Sequence, residues 1–489
     1  MSAARAEPAV AAPPEVTAAL AQFAAGLRPG HIPDAVRERA KALILDSLGV
    51  GMRAWQAAES TQVHAAALRA MGQATGADPK GGRVLGATET FTPPAAAELN
   101  GALIHSLDFD DTYARGALHP SATVLPAALA AAGMVAASGA QVLAAVVAGY
   151  ELVCRLAVAL GAADHYDRGF HPTATCGVFA ASVAAARVLG LDAAQTQSAL
   201  GIALSQAAGS LQFLENGAWT KRFQVGAAAR AGLVSACLAR AGYVGASHPL
   251  EGPHGFMRAY APRADMPEAL AGLGRQWRTL DIAIKPYPAC RFAHAAIDAI
   301  VALRSVHGLV ADQVAHIECA LPHKGILLVG APIEQKRQAR TVVEGQFSMP
   351  FLAAAALLDG QVSWDTYGQR LGDPQADALM QKVAVVQTPE IEALFPERFG
   401  ARVRIRLADG QVLERQVDSP SGEPDNFPSV QALEGKFFGL VDSYYPPEAL
   451  RRLVDRVRQL ELQSEVDSLF IAPAAEAGQA GAIGNQTGL

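Results

Sequence analysis

Two imidazoles and three carboxylates fall close together at His105, Asp108, Asp110, Asp111 and His119. Carboxylates crowded in this way can keep a proton at neutral pH, and an aspartate can orient a neighbouring histidine as a base. The same residues would also serve as caps, with Asp108 to Asp111 closing one helix and Ser121 opening the next. A second stretch, Gly169-Phe170-His171-Pro172-Thr173, sets a histidine directly before an apolar helix, whose N-terminal amides favour an anion. Read plainly, it is an ordinary N-cap region. A third, Trp219-Thr220-Lys221-Arg222-Phe223, places two cations at the mouth of an alanine-rich helix. They are able to pair with a bound carboxylate or simply to be solvated.

The fourth stretch runs from Lys285 through Tyr287, Cys290 and Arg291 to His294. Pro286 and Pro288 stiffen it, Arg291 offers a bidentate fork for a carboxylate, and Cys290 reads either as a small buried hydrophobe or as a thiol of the site. Taken together, these residues suit removal of a proton from carbon next to a carboxylate. That step needs cations aimed at the charge that develops, and a base and an acid that titrate near neutrality. Lys221, Lys285 and Arg291 would hold carboxylates; His119 and His171 would exchange the proton, with Asp108 orienting one of them.

These residues sit at the ends of predicted helices. Val36, Ala40, Leu43, Ile44 and Leu48 lie on one helical face, and the same period persists to about Tyr260. Small residues such as Ala180, Ala181 and Ala184 to Ala186 let helix axes approach closely. Thr92-Pro93-Pro94 opens a helix expected to reach about Leu107, and Asp192 with Gln195 forms a capping-box pattern. After Gly274 the texture alternates: 314–320 and 402–407 read as strands, Asp409-Gly410 as a hairpin turn, and 293–306 and 347–358 as helices. Helix returns at Pro447–Gln463. The fold expected is mainly α with a smaller α+β domain. A helical domain over 17–274 is completed by a helical return over 419–472, with the α+β lid over 275–418 inserted between them. Segments 1–16 and 473–489 are expected to be disordered.

Bulk properties narrow the function. A chain of 489 residues with 40 Lys+Arg against 46 Asp+Glu carries a net charge of −6 and no block of like charge, which argues against nucleic-acid or polybasic membrane binding. No uninterrupted apolar run of about 18 residues is evident, and the N-terminus lacks a basic segment followed by an apolar one, so no membrane association is expected. The five cysteines, Cys154, Cys176, Cys237, Cys290 and Cys319, are widely spaced, which fits reduced thiols and a cytoplasmic location rather than a disulfide framework or a zinc knuckle. Nucleotide-binding glycine loops, a nucleophile elbow and a His-Glu-x-x-His motif are missing from the sequence.

The sequence resembles the MmgE/PrpD family over about residues 20 to 470. The resemblance is carried, in order, by Leu45 to Gly49, Asn100-Gly101 through Thr112, His119-Pro120-Ser121, Gly169 to Thr173, Thr220-Lys221 with Gly226 to Ala228, Glu251-Gly252 with Gly255-Phe256, and Lys285 to Pro288. It implies a homodimer with an active site between the domains, free of cofactor and metal, acting on a small polycarboxylate. The family's activities include 2-methylcitrate dehydration, cis-aconitate decarboxylation and iminodisuccinate epimerisation. Carried over residue by residue, it gives Asp108, His119, His171, Lys221 and Lys285 as the catalytic set, with Arg291, Cys290, Tyr287 and Arg222 beside it as substrate-binding residues. Where the decarboxylase branch has a histidine this chain has Cys290, and the segment that supplies a tyrosine in that branch is Leu327 to Ala331 here, without one. The expectation is therefore a 2-methylcitrate dehydratase-like hydro-lyase, with an epimerase of an iminodisuccinate-like dicarboxylate as the alternative. A polycarboxylate-binding protein without catalysis is a further alternative. The Asp-x-Asp-Asp string also occurs in class II terpene cyclases, but 6 % aromatic residues and four tryptophans make a poor carbocation-sheltering cavity.

Overall fold

The structure is a computed structural model that describes residues 15–474 apart from 79 and 262. The two segments expected to be disordered lie almost wholly outside the described residues. Val16, placed in the first of them, instead opens a helix and is fully buried. The described chain is mainly helical with two small sheets.

Hydrophobic side chains gather into two clusters. The larger draws on helices from Val16 to Ile284 and again on Leu433 to Leu469; the smaller draws on Ala289 to Leu413, and Trp364 packs against both. Glycines explain how the larger cluster packs so closely. A Cβ on Gly226 would lie 2.2 Å from the Glu98 carbonyl oxygen, and one on Gly101 would lie 2.9 Å from both the Ala122 carbonyl oxygen and the Gly226 Cα. The helices Pro93–Ile104, Ser121–Val135 and Thr220–Arg240 therefore meet backbone to backbone, as small residues at a crossing allow. Gly232 likewise sits against Ala181.

The helix Gly139–Leu160 is long and apolar enough to cross a bilayer by length and mean hydropathy, but it is interrupted by Gln141, Glu151 and Arg155, and 94 % of its most apolar window is buried in this core. Its N-terminus carries a capping box, Ser138 with Gln141, and Asp192 with Gln195 forms another at the helix Ala193–Leu204. Chain ends close the core. Helix Val430–Val441 lies on helix Asp34–Ala57, where Gly49 leaves room for the Phe437 ring. Helix Pro447–Arg458 stops short of the expected Gln463, because Lys41 Nζ takes the Arg458 carbonyl at 2.8 Å and the chain passes into a short 3₁₀ turn.

The second cluster is built on a four-stranded sheet in the order Val383–Val386, Val314–Ala320, Ala401–Leu407, Val412–Val417. The first pair is parallel and the others antiparallel, with Ile317 opposite both Val383 and Ile405. Val403 and Ile405 are buried while Arg404 and Arg406 point outward, the alternation of a sheet covered on one face. Helices His294–His307 and Met349–Asp359 cover it, and Gly410 at a φ of 91° makes the Asp409-Gly410 hairpin turn.

Candidate active site

Helix Pro93–Ile104 ends three residues earlier than its pattern predicts, and the chain turns through His105 to Asp111. Asp108 sits at a φ of 52°, a left-handed conformation that carries a cost for a residue with a Cβ and that no helix could continue through. The turn sends its three carboxylates in different directions. Asp111 faces the next helix, accepting from the Ser121 amide at 3.1 Å and the Ser121 hydroxyl at 2.7 Å, so it caps that helix in place of Ser121 itself. Burial, reinforced by neighbouring Asp110, pushes its carboxyl well above the usual range.

Asp108 meets the cations. Lys221 Nζ, at the start of helix Thr220–Arg240, donates to its Oδ1 at 2.6 Å, while Lys285 Nζ donates to its carbonyl at 2.8 Å and lies 3.4 Å from Oδ2. Burial opposes ionisation of Asp108, but the two ammoniums outweigh it and hold the carboxyl well below its ordinary value. Two backbone hydrogen bonds between Thr112 and Ala283, at 2.9 and 2.8 Å, tie the turn to the segment bearing Lys285.

Asp110 meets the imidazoles. Its Oδ2 accepts from His105 Nδ1 at 2.7 Å, and its Oδ1 lies 3.2 Å from His119 Nδ1, off the line of a good hydrogen bond. Burial would raise its pKa, yet His119 and His105 together hold it well below. The sequence had suggested Asp108 as the carboxylate that orients a histidine; the structure gives that place to Asp110, because Asp108 is taken by lysines. Burial also lowers the His105 pKa to about 4, so its ring is neutral, with the proton on Nδ1 facing Asp110.

His171 completes the group, its ring centroid 5.7 Å from that of His105, while the His119 ring stands 4.7 Å from that of His105. The expected long helix after His171 is a short turn, Pro172–Thr175, followed at Gly177 by the main helix. Gln224 sets the tautomer of His171. Its Oε1 accepts from the Ser210 amide at 2.9 Å and its Nε2 donates to the Ser210 carbonyl at 3.1 Å, which fixes the amide orientation. The remaining Nε2 hydrogen then goes to His171 Nδ1 at 2.7 Å, leaving the imidazole proton on Nε2. Burial, with His105 and Lys221 nearby, holds His171 well below its usual pKa and therefore neutral. Access separates these groups: the side chains of Asp108, His119 and Lys221 are 14, 15 and 22 % exposed, whereas His105 and Asp110 are sealed.

The four residues expected beside this set fare differently. Cys290 is buried near Lys285 and Asp108, and burial pushes its thiol up to about 11, so it contributes a neutral S–H. Arg291 does not face the cleft. Its Nε donates to Glu423 Oε1 at 2.6 Å, its Nη2 holds the other oxygen, and the guanidinium lies over the Phe399 ring. Tyr287 donates its hydroxyl to Asp298 at 2.6 Å, and Arg222 donates to the Ser60 hydroxyl at 2.9 Å. Arg291 and Arg222 are held by partners far away in sequence, and Tyr287 by one in the neighbouring helix His294–His307. Gln346 bridges the two clusters, donating to the Leu107 carbonyl at 2.9 Å and the Pro288 carbonyl at 3.2 Å.

His105, Asp110 and His119 also form a two-imidazole, one-carboxylate group whose ligand atoms lie within 4.8 Å of one another. That donor set suits a divalent transition ion in kind. The His105 and Asp110 donors face one another at hydrogen-bond distance rather than a shared centre, so the group fits proton handling better than ligation.

Residues 18–269 match the MmgE/PrpD N-terminal domain and residues 287–462 the MmgE/PrpD C-terminal domain. A cis-aconitate decarboxylase-like protein of Aspergillus oryzae is 31 % identical, over 94 % of this chain and 98 % of its own length. The cis-aconitate decarboxylase of Aspergillus terreus is 30 % identical over 93 % of this chain and 95 % of its own, and that of Homo sapiens is 29 % identical over 94 and 95 %.

Proposed function

This chain belongs to the MmgE/PrpD family and is a lyase, and we propose that it acts without a cofactor on a small tricarboxylate of the citrate class, removing water by proton transfer next to a carboxylate. One observation carries the reading: two lysines share a single aspartate in the same cleft as two imidazoles of different character. His171 presents an N–H, while His119 is partly exposed and has its Nδ1 beside Asp110.

In the proposed reaction a substrate carboxylate exchanges with Asp108 for the ammoniums of Lys221 and Lys285. Those cations stabilise the charge that builds on the carboxylate as the neighbouring C–H bond breaks. His119 takes that proton, and Asp110 stabilises the imidazolium. The C–H electrons become the C=C bond, the C–O bond breaks, and the proton taken up by His119 passes to the departing hydroxyl to give water, while the Nε2–H of His171 donates a hydrogen bond to that oxygen. The second group of residues, 289–413, acts as the lid over this cleft, with Gln346 and Trp364 among its contacts to the large core.

A second reading is favoured by the relatives, which are named as cis-aconitate decarboxylases. There the same lysines would hold the carboxylates that stay, one carboxylate would leave as CO₂, and an imidazole would protonate the carbon. Cys290 and the tyrosine-free segment 327–331 weigh against it. The deciding assay incubates the enzyme in D₂O with 2-methylcitrate, citrate and cis-aconitate, following alkene absorbance, CO₂ release and deuterium incorporation. Alkene formation from a hydroxy-tricarboxylate, lost in His171→Ala and Lys221→Ala, supports dehydration. CO₂ release from cis-aconitate transfers the assignment to decarboxylation. Deuterium exchange with neither product points to an epimerase, and wild-type exchange rates in both variants discard the site.

A further inference from the structure

Lys436 lies on the helix Val430–Val441, far along the chain from every residue of the site, and its side chain is almost wholly buried. Its ammonium has three hydrogens and meets three oxygens: the Phe109 carbonyl at 2.9 Å, the Lys285 carbonyl at 2.8 Å and Asp46 Oδ1 at 2.6 Å. It also stands 3.8 Å from the centre of the Phe109 ring. Two of these acceptors belong to the site's own backbone. Phe109 separates Asp108 from Asp110, and the other carbonyl is that of Lys285 itself.

The surroundings explain why such a tie is needed. A cavity of about 460 Å³ lies against the same segments, lined by Phe109, Pro286, Tyr287, Trp364 and Phe427 and by Lys436. On that flank Phe109, Pro286 and Tyr287 border the cavity. Asp108 is in a costly left-handed conformation, so the turn has a reason to relax. Burying an ammonium and a carboxylate there costs desolvation that a surface pair would not bear, and apolar residues of like volume would fill the place at no such cost.

We propose that Lys436 is a positioning residue, a clamp that fixes the distance between Asp108 and Lys285 by holding the backbone of both segments from behind the site. This rests on the proposed function above only for its effect on turnover; the clamp itself is a statement about the backbone. Asp46 serves as its counter-ion and touches neither segment's catalytic side chains.

The test compares Asp46→Asn with the double variant Asp46→Asn/Lys436→Met. In the first, Lys436 keeps N–H donors for both carbonyls even if it loses its proton. In the second the donors are gone and no buried charge is left unpaired, so the two are fair partners for folding, checked by circular dichroism. Affinity for propane-1,2,3-tricarboxylate, an unreactive tricarboxylate, is expected to fall by about tenfold or more in the double variant relative to Asp46→Asn. Turnover of whichever polycarboxylate the wild type accepts is expected to fall by about a hundredfold, the cost of a misplacement near 1 Å. Amides of 108–112 and 285–289 are expected to exchange with solvent faster by about tenfold, with those of Thr220–Arg240 unchanged. Should the double variant not fold, Lys436→Gln, whose shorter amide cannot span both carbonyls, carries the same expectations. Equal affinity, turnover and exchange in the compared variants overturn the clamp. If the wild type neither binds nor converts any polycarboxylate, the functional reading falls and exchange alone decides: unchanged protection at 108–112 and 285–289 then overturns the clamp.

Discussion

Replacing Asp110 with asparagine removes one buried charge and little volume, and its effect can be worked from the geometry. In the proposed reaction His119 becomes an imidazolium whose Nδ1 stands 3.2 Å from Asp110 Oδ1. Two unit charges at that separation interact by about 5 kcal/mol at an effective dielectric of about 20. Delocalisation onto the farther nitrogen lowers this to about 4 kcal/mol, and the asparagine carbonyl dipole restores about 1 kcal/mol of it. The net loss of about 3 kcal/mol is about a hundredfold in kcat. Asparagine also presents an NH₂ group to one of the two imidazoles that now face a carboxylate, adding a tautomer penalty in the same direction. The fall should appear in kcat and in deuterium exchange, with KM little changed, because the carboxylate-binding lysines are untouched. Asp108→Asn should behave differently, shifting KM, since Asp108 partners the lysines. A kcat for Asp110→Asn within about threefold of wild type, with normal exchange, would refute the assignment of Asp110 to His119.

Gln224→Leu removes the donor that fixes the His171 tautomer, so kcat should fall by about tenfold with little change in KM, and imidazole nitrogen NMR should show a proton on both His171 nitrogens in exchange. Arg291→Met should cost about 3 kcal/mol in urea unfolding by stranding Glu423. The same variant should leave tricarboxylate affinity within about twofold; a large affinity loss without a stability loss would return Arg291 to the substrate. Gly226→Val should destabilise by about 3 kcal/mol, because its first carbon would meet the Glu98 carbonyl oxygen at 2.2 Å and neither backbone can yield. Asp46 titrates at about 6 when folded, raised by burial against the pull of Lys436, and near 3.8 in the free residue. The folded state therefore binds the extra proton between those values, and this carboxyl contributes stability that is present at low pH and lost as pH rises through about 6. Asp46→Asn lacks the titration, so the wild type's stability relative to this variant should drop by up to about 3 kcal/mol from pH 4 to pH 8, measured by denaturant unfolding at each pH.

Much of the architecture is legible in residue order, since helical period, alternating strands, the Asp192 to Gln195 box and the Asp409-Gly410 turn are all local signals. The lysines and histidines of the cleft are legible as types. Their division of labour is not, because Asp108, Asp110 and Asp111 are near-identical in sequence and are told apart only by the left-handed backbone at Asp108, which aims each at a different neighbour. Arg291 looks like a carboxylate receptor until Glu423, more than a hundred positions later, arrives to occupy it. Tyr287 and Arg222 are misread for the same reason, their partners Asp298 and Ser60 lying on other elements. Gln224 and Lys436 carry no local signal at all. A neutral amide and a lysine in a predicted helix are unremarkable until Ser210 and two backbone carbonyls are placed against them.

The closing of the large core by its two sequence ends also bears on how the protein is made. Gly49 waits for Phe437, Lys41 for the Arg458 carbonyl and Asp46 for Lys436, and several hundred residues must be translated between the members of each pair. At about 5–20 residues per second, the apolar face of helix Asp34–Ala57 stays uncovered on the ribosome for tens of seconds. A chain stalled before residue 430 would hold every histidine of the site and still display a greasy seam, making it a client for holdase chaperones or for proteases rather than a slow enzyme.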